Sequence, residues 1–163
     1  MYKEQYENRT QKYLISMNES MKYILDEYHA DYKSQQAVTL PLRLNRYIER
    51  GIVKREDVNS YTYKDVKDFA LCYPDSTGNE YTNNKVYIEK NGGKANALNI
   101  SLRFAFKIAN LLDAFSESFN IVLSFDDTDF IVSFYCNRDN EEWLVDDLDS
   151  YTEEAIWVIT TCK

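Results

Sequence analysis

The sequence is poor in the residues from which many enzyme sites are built, with one histidine and four glycines among 163 residues. A single histidine, His29, leaves a histidine-based catalytic triad without a second candidate, and its polar neighbours favour a solvated side chain. Few glycines leave few of the backbone-exposing loops that bind phosphate groups. The GxSxG, HExxH, GxGxxG and P-loop motifs are absent from the sequence. We therefore predict no catalytic residue and no cofactor, and we expect that the protein is not an enzyme.

Cysteine is also scarce, and the three cysteines lie far apart at Cys72, Cys136 and Cys162. An odd number without CxxC spacing argues against a disulfide framework and against a zinc site. The acidic runs DDTD and DDLD lack the ligand spacing and the distal glutamate of a calcium-binding loop. The sequence therefore predicts no metal site.

Long apolar runs are missing as well. No unbroken apolar stretch reaches the length that spans a bilayer, and the first residues, MYKEQYENRTQKY, are polar from the start. Apolar residues nevertheless make up 44% of the chain, which is long enough to bury a substantial core. We expect a single cytoplasmic domain, residues 1–163, that does not contact a membrane.

Negative charge is concentrated in the last quarter of the chain. Residues 1–119 carry sixteen acidic and seventeen basic side chains, whereas residues 120–163 carry eleven acidic and two basic ones. Most of the acids lie in RDNEEWLVDDLDSYTEEA, residues 138–155, which also contains one tryptophan and one tyrosine. A patch of one sign steers an oppositely charged partner towards it and speeds association.

Charge runs are often solvated faces that keep a protein soluble. Solubility does not require the charges to be segregated, and aromatic rings inside a charged run are typical of an interface with a polar rim. We therefore favour a binding surface for a basic protein. Its predicted residues are the acidic and aromatic side chains of the run: Glu141, Glu142, Trp143, Asp146, Asp147, Asp149, Tyr151, Glu153 and Glu154.

A basic stripe occurs earlier in the chain, in and after LPLRLNRYIERG, at Arg43, Arg46, Arg50 and Lys54. Such a stripe could contact nucleic acid phosphates. Because residues 1–119 are nearly neutral and the whole chain carries a net charge of −8, we expect no nucleic-acid binding. Pairing of this stripe with the acidic run inside the molecule is the simpler interpretation.

Apolar spacing predicts helices in the first two thirds of the chain. Intervals of three and four from Tyr13 to Tyr28 predict a first helix, and Pro41 and Gly51 bracket a second. Residues 59–74 predict a third helix, residues 75–94 are rich in turn signals, and residues 96–119 predict the most buried helix.

Alternating apolar residues predict strands at 86–89, 120–126, 129–136 and 155–162, with a hairpin between the second and third of these. The fold class that follows is α+β, a single domain whose helices pack on a C-terminal antiparallel sheet. Residues 1–119 are then mainly helical, and residues 120–163 mainly β. The acidic segment joins the last two strands as a loop or short helix, and we expect it at an edge or end of the sheet.

The C-terminal part resembles a known group of proteins. Residues 119–161, FNIVLSFDDTDFIVSFYCNRDNEEWLVDDLDSYTEEAIWVITT, carry an acidic turn between two strands, then EWL, DDL and EEAI before a closing apolar strand. This pattern is similar to immunity proteins of bacterial contact-dependent growth inhibition and other polymorphic toxin systems, the CdiI-like proteins. The resemblance implies a small, cytoplasmic, non-catalytic protein that binds and neutralises one cognate toxin domain, commonly a basic nuclease.

Two alternative functions use the same acidic residues. An acidic protein can mimic nucleic acid and inhibit a DNA- or RNA-binding protein. A small enzyme can act through paired carboxylates, although a crowded polar run offers no apolar pocket to raise one pKa. The sequence does not separate the first alternative from toxin neutralisation.

Overall fold

An antiparallel sheet organises the molecule. In a computed structural model, the described residues are 1–8, 11–32, 38–47 and 76–162. Within them the sheet has six strands in the order β1-β2-β6-β4-β5-β3. In chain order these are β1 (Tyr2–Asn8), β2 (Gln11–Met17), β3 (Val86–Ile88), β4 (Phe119–Phe125), β5 (Phe130–Cys136) and β6 (Ala155–Thr161). The helices of the same residues are α1 (Glu19–Glu27), α2 (Leu42–Tyr47), α3 (Ser76–Asn83) and α4 (Lys94–Leu112). The predicted α+β class is confirmed.

The inner face of the sheet packs against α4. Along β4 and β6, alternate side chains point to this face and are buried, among them Ile121, Leu123, Trp157 and Ile159. The apolar side of α4 covers them, and the ring of Phe106 meets that of Trp157 edge-on at 5.5 Å. The helix and the sheet both bury apolar surface in this contact, as the apolar spacing of the sequence predicts. This burial is the main source of stability of the fold.

The N-terminal residues form a β-hairpin, so the predicted helix is wrong over residues 13–17. Strand β2 pairs with β1 on one side and with β6 on the other. Tyr13, Ile15 and Met17 point into the core with a period of two, and α1 starts only after Asn18. The interval of four from Tyr13 to Met17 fits a helix and a strand equally, which explains the error. The described part of residues 1–119 is therefore less helical than predicted.

Two further boundaries differ from the prediction. Residues 76–83, expected to be turns, form α3, where contacts with β5 described below compensate for residues of low helix propensity. Helix α4 ends at Leu112, and Phe119 begins β4 instead of ending a helix. The rings of Phe115 and Phe119 still pack together at 6.2 Å, so the apolar spacing continues beyond the helix.

Other elements agree with the sequence. Strand β3, the β4–β5 hairpin and β6 are confirmed within a residue or so of their predicted bounds. Helix α2 begins directly after Pro41, as predicted. The predicted end of that helix, the predicted helix at 59–74 and Cys72 lie outside the described residues. In the described ranges, no helix has both the length and the apolar character needed to cross a membrane.

Candidate functional site

The acidic residues lie on the connection between β5 and β6, residues 137–154, which we call the acidic connection. Strand β4 lies between β5 and β6 in the sheet, so this connection crosses from one side of β4 to the other. It does so over the outer face, opposite α4, where Leu148 packs with Val122, Ile156 and Val158. A short 3₁₀ helix, Leu148–Ser150, agrees with the prediction of a loop or short helix. The expected position at an edge or end of the sheet is wrong, because the connection lies across a face.

Aromatic rings attach the acidic connection to the outer face. The Trp143 ring lies 5.1 Å from that of Tyr81 in α3, and Tyr81 meets Tyr135 of β5 edge-on at 6.1 Å. The hydroxyl of Tyr151 accepts a hydrogen bond of 3.2 Å from the backbone N–H of Val145. Trp143 and Tyr151, both predicted to bind a partner, are thus half-buried against their own chain and retain only part of their surface for contacts outside it.

Burial raises the pKa of two tyrosines of this cluster, Tyr81 and Tyr135. Desolvation, assisted by the negative charge of Glu154, raises the pKa of Tyr81 to about 12. Desolvation likewise raises the pKa of Tyr135. Both hydroxyls therefore ionise at a higher pH than an exposed tyrosine, and they contribute packing and hydrogen bonds.

A partly buried ion pair fixes the start of the acidic connection. Glu80 of α3 is only 2% exposed and accepts from Arg138 through both carboxylate oxygens, with Nη1 to Oε2 at 2.9 Å. The backbone N–H of Cys136 donates to the same Oε2 at 2.8 Å. The hydrogen bonds that Arg138 donates to Glu80 raise the pKa of Arg138, so its positive charge is retained. This pair joins α3 to the end of β5 and orients the chain that follows.

Glu141 and Asp149, two of the predicted binding acids, are engaged within the chain. Glu141 accepts from both the backbone N–H of Thr77, at 3.0 Å, and its hydroxyl, at 2.6 Å. Asp149 accepts from the backbone N–H of Glu19 at 2.8 Å, at the positive end of α1, and forms an ion pair with the amino group of Met1. The hydrogen bond from that amino group, followed by the one from Glu19, lowers the pKa of Asp149. No sequence pattern indicates these contacts, because their partners are distant along the chain.

The remaining predicted acids form what we call the acidic surface: Glu142, Asp146, Asp147, Glu153 and Glu154. All five are exposed, and none forms an ion pair with a lysine or arginine of the described residues. The expected pairing with the basic stripe is not seen for Arg43, which contacts Glu89 and the carbonyl of Tyr87 instead. Arg50 and Lys54 lie outside the described residues.

Sequence reasoning missed Val145, which is 46% exposed although it lies between the acids of this surface. The alternation of Leu144, which packs on the outer cluster, with Val145 could have indicated an outward-facing apolar side chain. An apolar side chain surrounded by carboxylates resembles the centre and rim of a protein interface. Val145 is therefore a better candidate for an exposed contact than either aromatic ring.

A shallow groove separates the acidic connection from the sheet. It holds about 170 Å³ and is lined by Leu14, Val158 and Thr160 on the sheet side and by Leu144 and Asp146 on the other. Pockets for small molecules usually hold 300–1,000 Å³, so this groove is small for a cofactor. Among the described residues, no group of three or more metal-binding side chains comes together.

The comparisons with known proteins give a family but no relative of established activity. The model of the Uncharacterized protein PM0498 family matches residues 16–163. No curated protein and no solved structure matches the chain. The matched range contains α1, α4, β3 to β6 and the whole acidic connection, and it leaves out β1 and the first part of β2. Because the match covers most of the chain, this protein belongs to the Uncharacterized protein PM0498 family.

Proposed function

We propose that this protein binds a basic partner protein through the acidic surface, and that the partner is a bacterial toxin domain which the binding neutralises. The observation that carries the proposal is the set of exposed carboxylates without an ion pair among the described residues. They are held on a connection whose two ends are fixed by partly buried polar contacts.

The energetics favour an external counter-charge. Carboxylates that share one short connection repel each other, and the repulsion is weak in water but grows as water is excluded. A partner that brings lysine or arginine side chains converts this repulsion into attraction and gains specificity from the match of charge. Val145 supplies an apolar contact that excludes water at the centre of such an interface.

The choice of a toxin as partner depends on the resemblance of residues 119–161 to immunity proteins of polymorphic toxin systems. A nuclease domain is a fitting target, because the cleft that binds phosphates is positively charged. A carboxylate-rich surface can occupy the same field and exclude the nucleic acid. This proposal places the protein in the cytoplasm, where such a toxin would act, and assigns it no catalytic role.

The test is coexpression with the protein encoded by the neighbouring upstream gene, followed by measurement of growth and of the dissociation constant by calorimetry. The full chain should protect the cells and bind a basic domain with one-to-one stoichiometry. We expect Asp146→Lys to weaken binding about tenfold, because one attraction becomes a repulsion at an interface rim. Asp146 is exposed, and its side chain takes part in none of the ion pairs of the described residues, so we expect the change to leave the fold intact.

Glu27→Lys provides the matched control, because it changes the net charge by the same amount at an exposed site on α1. This variant should protect and bind like the unchanged protein. Equal affinity of the two variants would contradict a role for the acidic surface, and so would full protection by a folded Glu142→Lys/Asp146→Lys protein. Weaker binding by Asp146→Lys, together with unchanged binding by Glu27→Lys, would support that role.

A further inference from the structure

Asn18 occupies the junction between β2 and α1 and is almost completely buried, at 1% exposure. Its side-chain oxygen accepts a hydrogen bond of 3.0 Å from the backbone N–H of Met21, so it is the N-cap of α1. Serine, threonine, aspartate and asparagine all perform this task well, because each offers an oxygen at the required distance. Capping alone therefore does not require asparagine.

The amide nitrogen of Asn18 has a second set of contacts. It lies 2.8 Å from the carbonyl oxygen of Glu154 and 3.4 Å from those of Tyr151 and Leu148. These three carbonyls span the second half of the acidic connection, from the 3₁₀ helix to the start of β6. An amide NH₂ has two protons, so the short contact to Glu154 is the principal one and the longer pair share the other proton.

Two further bonds tie the same residue to β6. The side-chain oxygen accepts from the N–H of Ile156 at 2.9 Å, and the backbone N–H of Asn18 donates to the carbonyl of Ile156 at 3.1 Å. Asn18 thus joins the start of α1, the end of the acidic connection and the first residues of β6. Aspartate has no donor, and serine and threonine offer one O–H where the amide offers two N–H groups, so none of these other capping residues can make the whole set.

We propose that Asn18 is the positioning residue of the acidic surface. Its amide fixes the backbone from Leu148 to Glu154, and therefore the directions of Glu153 and Glu154, relative to α1. A substitution that keeps the helix cap but removes the amide does not change the number of carboxylates. It removes the hydrogen bonds that hold the backbone from Leu148 to Glu154. The inference about position stands on the contacts alone, and its consequence for binding rests on the proposed function.

The test is hydrogen–deuterium exchange of the full chain carrying Asn18→Ser, read residue by residue. Serine keeps the cap and loses the amide donors. We expect the hydrogen-bonded amides within residues 148–154, those of Asp149, Ser150 and Tyr151, to exchange at least tenfold faster, while the amides of residues 22–27 in α1 change less than twofold. Uniform acceleration across the sheet, or no change at 148–154, would overturn the proposal.

Asn84→Ser is the matched control. Asn84 is also a buried asparagine, 4% exposed, and its amide donates to the carbonyl of Phe134 at 3.0 Å, away from residues 148–154. This variant should leave exchange at 148–154 unchanged relative to the rest of the chain. If Asn18→Ser does not fold, Asn18→Thr also keeps the cap, lacks the amide donors and is read by the same comparison.

The binding consequence is measured on the partner from the coexpression experiment. Asn18→Ser should dissociate about fivefold faster, with an association rate and a salt dependence that do not change, because all carboxylates are retained. A purely structural role would not preserve the association rate and salt dependence while changing dissociation. If exchange accelerates at 148–154 but Asp146→Lys has no effect on binding, the proposed function fails and the positioning role of Asn18 stands.

Discussion

The two faces of the sheet are covered in different ways. The inner face is closed by α4 through contacts between apolar side chains, such as that of Phe106 in the helix with Trp157 in β6. The outer face carries a smaller apolar cluster under the acidic connection and α3. It is held largely by hydrogen bonds, including those of Glu80, Asn84 and Ser133, whose hydroxyl donates to the carbonyl of Tyr81.

The two faces contribute differently: one mainly stabilises the fold, and the other mainly sets the position of the acidic surface. Apolar burial is non-directional and stabilises the fold in proportion to the area removed from water. Hydrogen bonds add less net free energy, but they require particular distances and angles and are costly to leave unmade. The inner face therefore accounts for most of the stability, whereas the polar contacts of the outer face determine where the acidic surface lies.

The largest effect should follow from a cavity in the inner face. Trp157→Ala removes a side chain that is fully buried, at 0% exposure, and we expect it to lower the free energy of unfolding by about 3–5 kcal/mol. Denaturation with urea, followed by circular dichroism, measures the change. Leu42→Ala, at a side chain that is 64% exposed, serves as the control and should cost less than about 0.5 kcal/mol. If the two variants lost similar amounts of unfolding free energy, the inner face would not be the main source of stability.

A smaller effect is expected from the ion pair on the outer face. Glu80→Gln leaves Arg138 partly buried without its counter-charge, and we expect a loss of about 2–4 kcal/mol. The estimate lies below the full cost of a buried charge because the Arg138 side chain is 29% exposed. The double variant Glu80→Gln/Arg138→Gln should recover part of the loss, since it removes the unpaired charge. A double variant as unstable as the sum of the single ones would show that the pair is not coupled.

The smallest effect concerns pH and the tyrosines of the outer face. The pKa of Tyr81 is about 12 in the folded protein because of burial, against a usual value of 10.0. Below pH 10 the hydroxyl is protonated in both states and pH has no effect through this group. Between pH 10 and about 12 the unfolded chain loses this proton and the folded one keeps it. Unfolding therefore becomes easier as pH rises, by up to about 3 kcal/mol.

Urea denaturation at several pH values across this range measures that slope. Tyr81→Phe should flatten it, while Tyr23→Phe, at a side chain that is 69% exposed, should not. An equally steep slope in Tyr81→Phe would mean that the outer cluster does not shield this hydroxyl from water.

Local sequence patterns were sufficient where one period dominated. The apolar spacing of α4 and the alternation in β4, β5 and β6 extend over several turns or residues, so neighbouring residues agree on one structure. The N-terminal hairpin could not be found in this way, because β2 is specified by its pairing with β6, which lies at the other end of the chain. Helix α3 also escaped prediction, since Gly78 and its asparagines favour turns until contacts with β5 hold them.

The amino-acid sequence by itself determined that the negative charge is concentrated between the last two strands, because charge and order along the chain are local properties. Only the tertiary structure decided which acids are exposed and which are used internally. Asp149 and Glu141 meet Glu19 and Thr77, and Asn18 meets the carbonyl of Glu154, across long stretches of chain. Such contacts depend on which strands lie side by side, and a polar group is satisfied by whatever partner the fold brings within hydrogen-bonding distance.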